Sequence, residues 1–298
     1  MIDQPPTNDK FRLADPDSRF IDIQGVSVHY KEVGEGNPVF IFLHGFAASL
    51  FSWHDVMRPL AVHGRMIAYD RPAFGLTDRP IIENSNKMNL YGTEGQVEML
   101  RNLMDALGVE KASIVAHSAG GTVGMAFALK YPQNVQALIL VGPAVYLYSP
   151  VPSWASHFLN KKSARIFGQA LIHPTRAFTR QMLRQTWHDP SRISEEIVSG
   201  YKKPFLLKGW EVGLWEFSLA PHVKNLWKRS NELKMPVLVI AGDDDRVIPT
   251  RHSRRLAEII PGANFQLVKA CGHVPQEEKP EEFVTIVNEF VLQLKKLK

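Results

Sequence analysis

Ser118 stands in the run Ser113-Ile114-Val115-Ala116-His117-Ser118-Ala119-Gly120-Gly121, where an apolar stretch meets a serine flanked by small residues and a helical pattern begins at once. A chain that turns from strand to helix at one residue leaves no room for side chains two positions either side, and Ala116 and Gly120 keep that space open. The same turn strains the serine backbone and lifts its hydroxyl clear of the sheet, the setting of a nucleophile. A hydroxyl is a weak nucleophile near neutral pH and needs a base, itself oriented by an acid. Candidates follow in the order acid, then base. The apolar run Val237-Leu238-Val239-Ile240-Ala241 ends in Gly242-Asp243-Asp244-Asp245-Arg246-Val247-Ile248-Pro249, and the run Phe265-Gln266-Leu267-Val268 leads into Cys271-Gly272-His273-Val274-Pro275. Aspartates after a strand more often cap a helix or make a turn, and a histidine among 11 is usually a surface or hydrogen-bonding residue. It is their joint order, each on a loop after a strand, that makes the set. A fourth part lies upstream, where the continuously apolar Val39-Phe40-Ile41-Phe42-Leu43, a strand buried on both faces, ends at His44-Gly45-Phe46-Ala47. The backbone N–H groups of Phe46 and Ala119 are the expected donors to a tetrahedral oxyanion. The His44 side chain reads as a structural hydrogen-bonder.

These pieces together resemble the α/β-hydrolase superfamily over nearly the whole chain. The resemblance rests on His44-Gly45-Phe46, Asp70-Arg71-Pro72-Ala73-Phe74-Gly75, the Ser118 turn, the Gly242 to Pro249 run and Gly272-His273-Val274-Pro275-Gln276-Glu277-Glu278-Lys279-Pro280. It implies a catalytic set of Ser118, Asp245 and His273, with Asp245 preferred over Asp243 and Asp244 because the family acid usually stands four residues before the proline. It makes Asp70 to Gly75 a structural turn without chemistry. Ala116 departs from the glycine that usually opens the family's serine motif. The implied activity is that of a serine hydrolase, carboxylesterase- or lipase-like, cleaving an ester with a hydrophobic portion through an acyl-enzyme and without a cofactor. Ser118 argues against the epoxide hydrolases and haloalkane dehalogenases, which attack with aspartate. A carbon–carbon bond hydrolase of the ring-cleavage-product type would use the same triad and a similar cap. Those enzymes commonly carry a Gly-Pro-Gly type sequence in the first loop, where this chain has Phe46-Ala47-Ala48-Ser49. A ligand receptor retaining the triad is a third reading.

The elements that must hold these residues alternate. Phe20 to Lys31 reads as an edge hairpin turning at Gly25. Arg65 to Tyr69 and Val135 to Val141 read as further strands. Thr93-Glu94-Gly95-Gln96 has the form of a capping box opening a helix striped by Val97, Leu100, Met104 and Leu107 and ending at Gly108. The last helix opens with Pro280, Glu281 and Glu282, closes with Lys295, Lys296 and Lys298, and presents Phe283, Ile286, Phe290 and Leu294 to the sheet. Alternating strand and helix gives an α/β fold with a mostly parallel central sheet covered by helices on both faces. Residues 1–18 read as a loosely held arm and 82–90 as a loop.

From Tyr146 to Met235 there is no convincing buried strand, and helical pieces appear around 154–172, 175–187 and 191–203. The expected organisation is a core of residues 1–145 and 233–298 with a helical cap at 146–232. The cap holds Trp154, Trp187, Trp210, Trp215 and Trp227, five of the chain's 6 tryptophans. Residues 146–235 carry 14 Lys or Arg against 6 Asp or Glu, although the whole chain is only +5. The plain reading is a packed helical layer with a solvated basic face. The functional reading is an apolar acyl pocket beneath a surface that makes weak contact with anionic membranes. At 298 residues and 45% apolar the chain can bury a large core. The single Cys271 allows no internal disulfide, and no metal-ligand spacing of His or Cys occurs. With no signal-like start and no apolar run of membrane length, the expectation is a cytoplasmic protein with a small apolar ester as substrate and no nucleic-acid partner. The oligomeric state is left open.

Overall fold

The computed structural model describes residues 8–80, 88–146, 168, 170 and 172–296. Eight strands form one sheet in the order β1-β2-β4-β3-β5-β6-β7-β8. They are β1 (Arg19–Ile23), β2 (Val26–Val33), β3 (Val39–Leu43), β4 (Arg65–Tyr69), β5 (Ala112–His117), β6 (Val135–Val141), β7 (Val237–Gly242) and β8 (Asn264–Val268). The β1–β2 hairpin and the β2–β4 pair are antiparallel. Every later pair, from β4–β3 to β7–β8, is parallel. The six neighbouring strands from β4 to β8 therefore end on one edge of the sheet, and the segments directly after β3, β5, β7 and β8 carry Phe46, Ser118, Ala119, Asp245 and His273.

The apolar runs are continuous because helices cover both faces. Alternate residues along each strand join opposite clusters. Ile41, Leu43, Ile114, Ala116, Leu138 and Val239 meet Val97, Leu100 and Met104 of helix Thr93–Ala106 and Val123 and Phe127 of helix Ala119–Lys130. Phe40, Phe42, Val115, Ile139 and Ile240 meet Trp53, Val56 and Leu60 on one side and Phe283, Val287 and Phe290 of helix Pro280–Lys296 on the other. Each fully buried side chain of this size contributes roughly 1.5–3 kcal/mol, so the sheet is a rigid base for its edge loops.

Two local readings are corrected. Thr93 is not an N-cap: the helix begins at Thr93 itself with Gly92 before it and no side-chain cap bond. Its hydroxyl instead accepts the Val223 N–H, while Gln96 is drawn to Arg71 and the Tyr91 carbonyl. The N-terminal segment is also better held than a loose arm over its described part. Asn8–Leu13 is a short helix, Lys10 is buried against Asp78, and Phe11 packs edge-on to Phe20 at 4.8 Å.

Over residues 172–235 the described chain contains helices but no strand. Thr179–Thr186, Glu195–Lys202 and Trp210–Leu219 lie above the strand ends. Two small apolar clusters fix them. Phe205, Trp210 and Leu214 pack on Phe74 and Tyr91, and Leu183, Trp187, Ile193 and Val198 pack on Val274. Trp187 and Trp210 are thus packing residues. Trp154 and nearly all of the 154–172 piece lie outside the described residues, as does most of 82–90. Among the described residues no helix is long and apolar enough to cross a membrane.

Candidate active site

The Ser118 backbone has φ 52° and ψ −119°, a left-handed conformation between β5 and the helix that starts at Ala119. Its surroundings enforce this. The Ser118 N–H donates to the Val141 carbonyl, and the Ser118 carbonyl accepts from Gly121 and Ala144. A Cβ on Gly120 would stand 2.5 Å from the Leu43 carbonyl oxygen. The alanine at position 116 is accommodated by Gly124, where a Cβ would come within 2.8 Å of the Ala116 methyl. Strain of this kind costs about 1–3 kcal/mol and persists only where the frame over-determines it.

Of the three aspartates after β7, Asp245 is the one that meets His273. Its Oδ2 is 2.7 Å from His273 Nδ1, and both side chains are buried. Its Oδ1 accepts the N–H groups of Val247 and Ile248 at 2.9 and 2.8 Å. The carboxylate is therefore fixed on both oxygens, and His273 is held with Nδ1 as donor and Nε2 facing away from the acid. Asp243 instead accepts the Cys271 N–H, and Asp244 pairs with His188 and Arg246. Gly142, at φ 48°, makes room for the pair, since a Cβ there would lie 3.2 Å from both Asp245 Oδ2 and His273 Nδ1. Burial pushes the Cys271 thiol well above its ordinary range, and its sulfur lies in the core, away from this chemistry.

The loop after β3 is braced from below by the Asp70 to Gly75 turn. Burial would raise the Asp70 pKa, but His29 at 2.6 Å and the Leu50 N–H hold it down to about 2. Next to it the buried Arg71 guanidinium donates to the carbonyls of His44 and Gly45 at 2.8 and 3.1 Å and to Gln96. His44 is a structural residue: Nδ1 donates to the Gly45 carbonyl and Nε2 accepts the Arg71 N–H. Burial and the neighbouring guanidinium lower its pKa to about 3, so it stays neutral. Gly45 has no space for a side chain, with His117 Nδ1 at 3.0 Å and Ser118 Cβ at 3.2 Å from a built Cβ. Gly45 thus packs directly against Ser118, and the Ala119 N–H, in the first residue of a helix, has no intrahelical acceptor.

Ser118, His273 and the Gly45 to Ala48 loop line one cavity of about 320 Å³, within the usual range for small-molecule sites. Above the strand ends it is closed by Thr179, Met182, Leu183 and Thr186 from one helix, with Tyr201 and Phe205 from the next turns. Ser118 is 8% exposed and His273 is 4% exposed, so both residues are screened from bulk water. None of the described lining residues is Lys or Arg.

Several site residues were not singled out in the sequence reading. His117, before the serine, donates from Nε2 to the His273 carbonyl at 2.9 Å, and burial with His273 alongside holds its pKa well below the ordinary value. Glu277 is buried, accepts from the Ser52 hydroxyl and from Tyr201 at 2.6 Å, and has its pKa raised by burial, partly offset by those donors. Glu278 receives three backbone N–H groups. The two glutamates stand side by side after His273, and nothing local in sequence separates one from the other or shows what each faces.

A strained serine turn at the end of a parallel strand, an Asp–His pair on the loops after β7 and β8 and a braced loop after β3 match the pattern of a hydrolase of the α/β type. The family model for the alpha/beta hydrolase fold matches residues 38–280, and the chain belongs to that family. It is similar along its length to 2-hydroxy-6-oxo-6-phenylhexa-2,4-dienoate hydrolase of Comamonas testosteroni, 30% identical over 289 residues covering 91% of this chain and 93% of that protein. The 2-hydroxy-6-oxononadienedioate/2-hydroxy-6-oxononatrienedioate hydrolase of the same organism is 30% identical over 297 residues, covering 92% and 96%. Among solved structures, a mutant meta-cleavage product hydrolase of Pseudomonas fluorescens IP01 complexed with acetates superposes with a TM-score of 0.73 at 28% identity, covering 92% of this chain and 97% of that one.

Proposed function

We propose that this protein hydrolyses a carbon–carbon bond next to a ketone in a 2-hydroxy-6-oxo-dienoate. The observation that carries this reading is the near-full-length similarity to hydrolases named for such substrates. It replaces the ester as the leading reading. The missing Gly-Pro-Gly type sequence is a weak argument against it, because Ala47 reaches φ 52° without being glycine.

The chemistry asks for a stabilised carbanion as leaving group. In the 2-hydroxy-2,4-diene, cleavage between C5 and C6 would leave a vinyl anion. Moving the hydroxyl proton to C5 gives a 2-oxo-3-ene, and the C5–C6 electron pair can then delocalise onto the 2-oxo oxygen. Ser118 Oγ attacks C6 as His273 Nε2 takes its proton, with Asp245 stabilising the imidazolium. The oxyanion on C6 is received by the Phe46 and Ala119 N–H groups. As the C5–C6 bond breaks, the leaving dienolate takes the proton from His273 and departs as the dienol. Water, deprotonated by His273, releases the second product as a carboxylic acid. No metal or redox step is needed for the balance.

The absence of Lys and Arg among the described lining residues favours a second reading, an uncharged ester, because a dienoate brings a carboxylate into the cavity. The test is to compare loss of the visible absorbance of 2-hydroxy-6-oxo-6-phenylhexa-2,4-dienoate with hydrolysis of p-nitrophenyl esters of increasing chain length. The expected kcat/KM is at least about 100-fold higher for the dienone, with both activities lost in Ser118→Ala by roughly 10³-fold or more. A preference for esters would overturn the carbon–carbon reading and leave the Ser118 assignment standing.

A further inference from the structure

The cap and the base are joined by one buried carboxylate. Glu278 has 0% exposure, and among the described residues no cationic side chain pairs with it. Its Oε2 accepts the N–H of Gly272 at 2.7 Å and of His188 at 3.0 Å, and its Oε1 accepts the N–H of Asp189 at 2.9 Å. Gly272 precedes His273, whereas His188 and Asp189 follow the helix Thr179–Thr186 whose side chains line the cavity. Burying a carboxylate is costly unless several donors satisfy it. Here three donors from two separate segments converge on one group.

Other contacts tie the same stretch of cap. The His273 N–H donates to the Thr186 carbonyl at 2.6 Å. Gly272 lies flat on the cap, where a Cβ would stand 2.3 Å from the Thr186 oxygen and 2.8 Å from the His188 nitrogen. Arg192 holds the Glu278 carbonyl at 3.0 Å, and His188 pairs with Asp244 at 2.9 Å, next to the acid of the site. The segment from Thr186 to Asp189 therefore touches both loops that supply the Asp–His pair, and it continues directly from the substrate-lining helix.

We propose that Glu278 is a positioning residue, clamping the cap segment Thr186–Asp189 to the His273 loop so that the seating of the cap sets the position of the base. This rests on the reading of His273 as the base for Ser118. A carboxylate suits the role because both oxygens accept, whereas an amide would turn an NH₂ group toward a backbone donor. Loss of the clamp shifts His273 relative to Ser118, and a displacement of about 1 Å at a reacting group costs on the order of 10²-fold in rate.

The experiment is Glu278→Gln, measured with the dienone and, independently of any substrate, by the rate at which a fluorophosphonate labels Ser118. Phe290→Leu, in the core below the sheet, is the control for general loss of stability, and its activity is expected to stay near wild type. The expected result is a fall of about 10- to 100-fold in both kcat and labelling rate, KM within about threefold, and faster amide hydrogen exchange at Gly272, His188 and Asp189. A folded Glu278→Gln protein that labels and turns over at the wild-type rate overturns the proposal. So does a loss matched by the control variant at equal loss of Tm. If Glu278→Gln does not fold, Arg192→Ala loosens the same clamp from the carbonyl side and is expected to lower the labelling rate about 2- to 5-fold with KM unchanged; no effect there also overturns it. Failure of the wild-type protein to label at Ser118 would instead refute the assignment of nucleophile and base.

Discussion

Replacing Asp245 by asparagine probes the site through a tautomer. In the wild-type protein Oδ1 is committed to two N–H donors, Val247 and Ile248, and Oδ2 to His273 Nδ1. An asparagine must keep its oxygen toward the two amides, because the reverse orientation would set an NH₂ group against both. That NH₂ then faces Nδ1. His273 can satisfy it only by moving its proton to Nε2, the nitrogen that receives the Ser118 proton in the proposed mechanism. Restoring the useful tautomer puts two donors together, a buried mismatch of about 1–3 kcal/mol, and forfeits a charge-assisted bond to the imidazolium of about 1.5–3 kcal/mol. The sum, roughly 3–6 kcal/mol, is a rate loss of about 10²–10⁴-fold at 1.4 kcal/mol per decade. The assay is kcat on the dienone and fluorophosphonate labelling of Ser118, with Tm as the fold control. Asp243→Asn and Asp244→Asn serve as comparisons. Their bonds go to a backbone amide and to partly exposed partners, so losses under about fivefold are expected, since pairs of that kind contribute about 0–1 kcal/mol. A folded Asp245→Asn protein within tenfold of wild type, or a larger effect at Asp243, would refute the reasoning.

Gly142→Ala is expected to cost about 1–2 kcal/mol from its left-handed backbone and to lower kcat about tenfold by crowding the Asp245–His273 bond, read as a Tm loss of about 2–4 °C with KM little changed. Glu277 sets a pH dependence of stability. Its folded pKa lies above the ordinary 4.5, so its contribution is full below that value and is lost as pH rises through the raised one. The isosteric Glu277→Gln keeps an acceptor for Ser52 and Tyr201, so its Tm should fall less between pH 4.5 and 8 than that of the wild type, and parallel curves would contradict this. Phe217→Ala removes a cap ring from contacts with Phe46 and Phe74 at 5.5 and 5.1 Å and should destabilise by about 1–3 kcal/mol while raising KM; an unchanged KM would show that the ring does not shape the cavity.

The central strands are legible in the sequence because a strand buried on both faces needs apolar residues throughout, and Val39–Leu43 or Val237–Ala241 can hardly be read otherwise. Ser118 is legible because the sterics of its turn constrain neighbours only a few residues away. Reading fails where a side chain is claimed from a distance. Thr93 and Gln96 match a local capping pattern, yet Val223 and Arg71 take their polar groups. Glu277 and Glu278 are identical in type and adjacent in sequence, but one faces Ser52 and Tyr201 and the other the backbone of the cap. Lys10 looks like part of a polar tail until Asp78, far along the chain, is brought beside it. The first loop is legible only in part, since its composition does not disclose its backbone: Ala47 takes up the left-handed turn without being glycine.

The aromatic cluster of Phe46, Phe74 and Phe217 has a bearing on how such enzymes can be rebuilt. Phe46 carries one of the backbone donors proposed for the site, and its ring rests on Phe217 of the overlying helix Trp210–Leu219. The overlying helices and the loop after β3 are therefore not interchangeable modules. A chimera that takes its cap from a relative with a different side chain opposite Phe46 would inherit a new substrate chamber and also a displaced donor loop. Cap exchange in this scaffold should succeed only when position 46 and its overlying partner are transplanted as a matched pair.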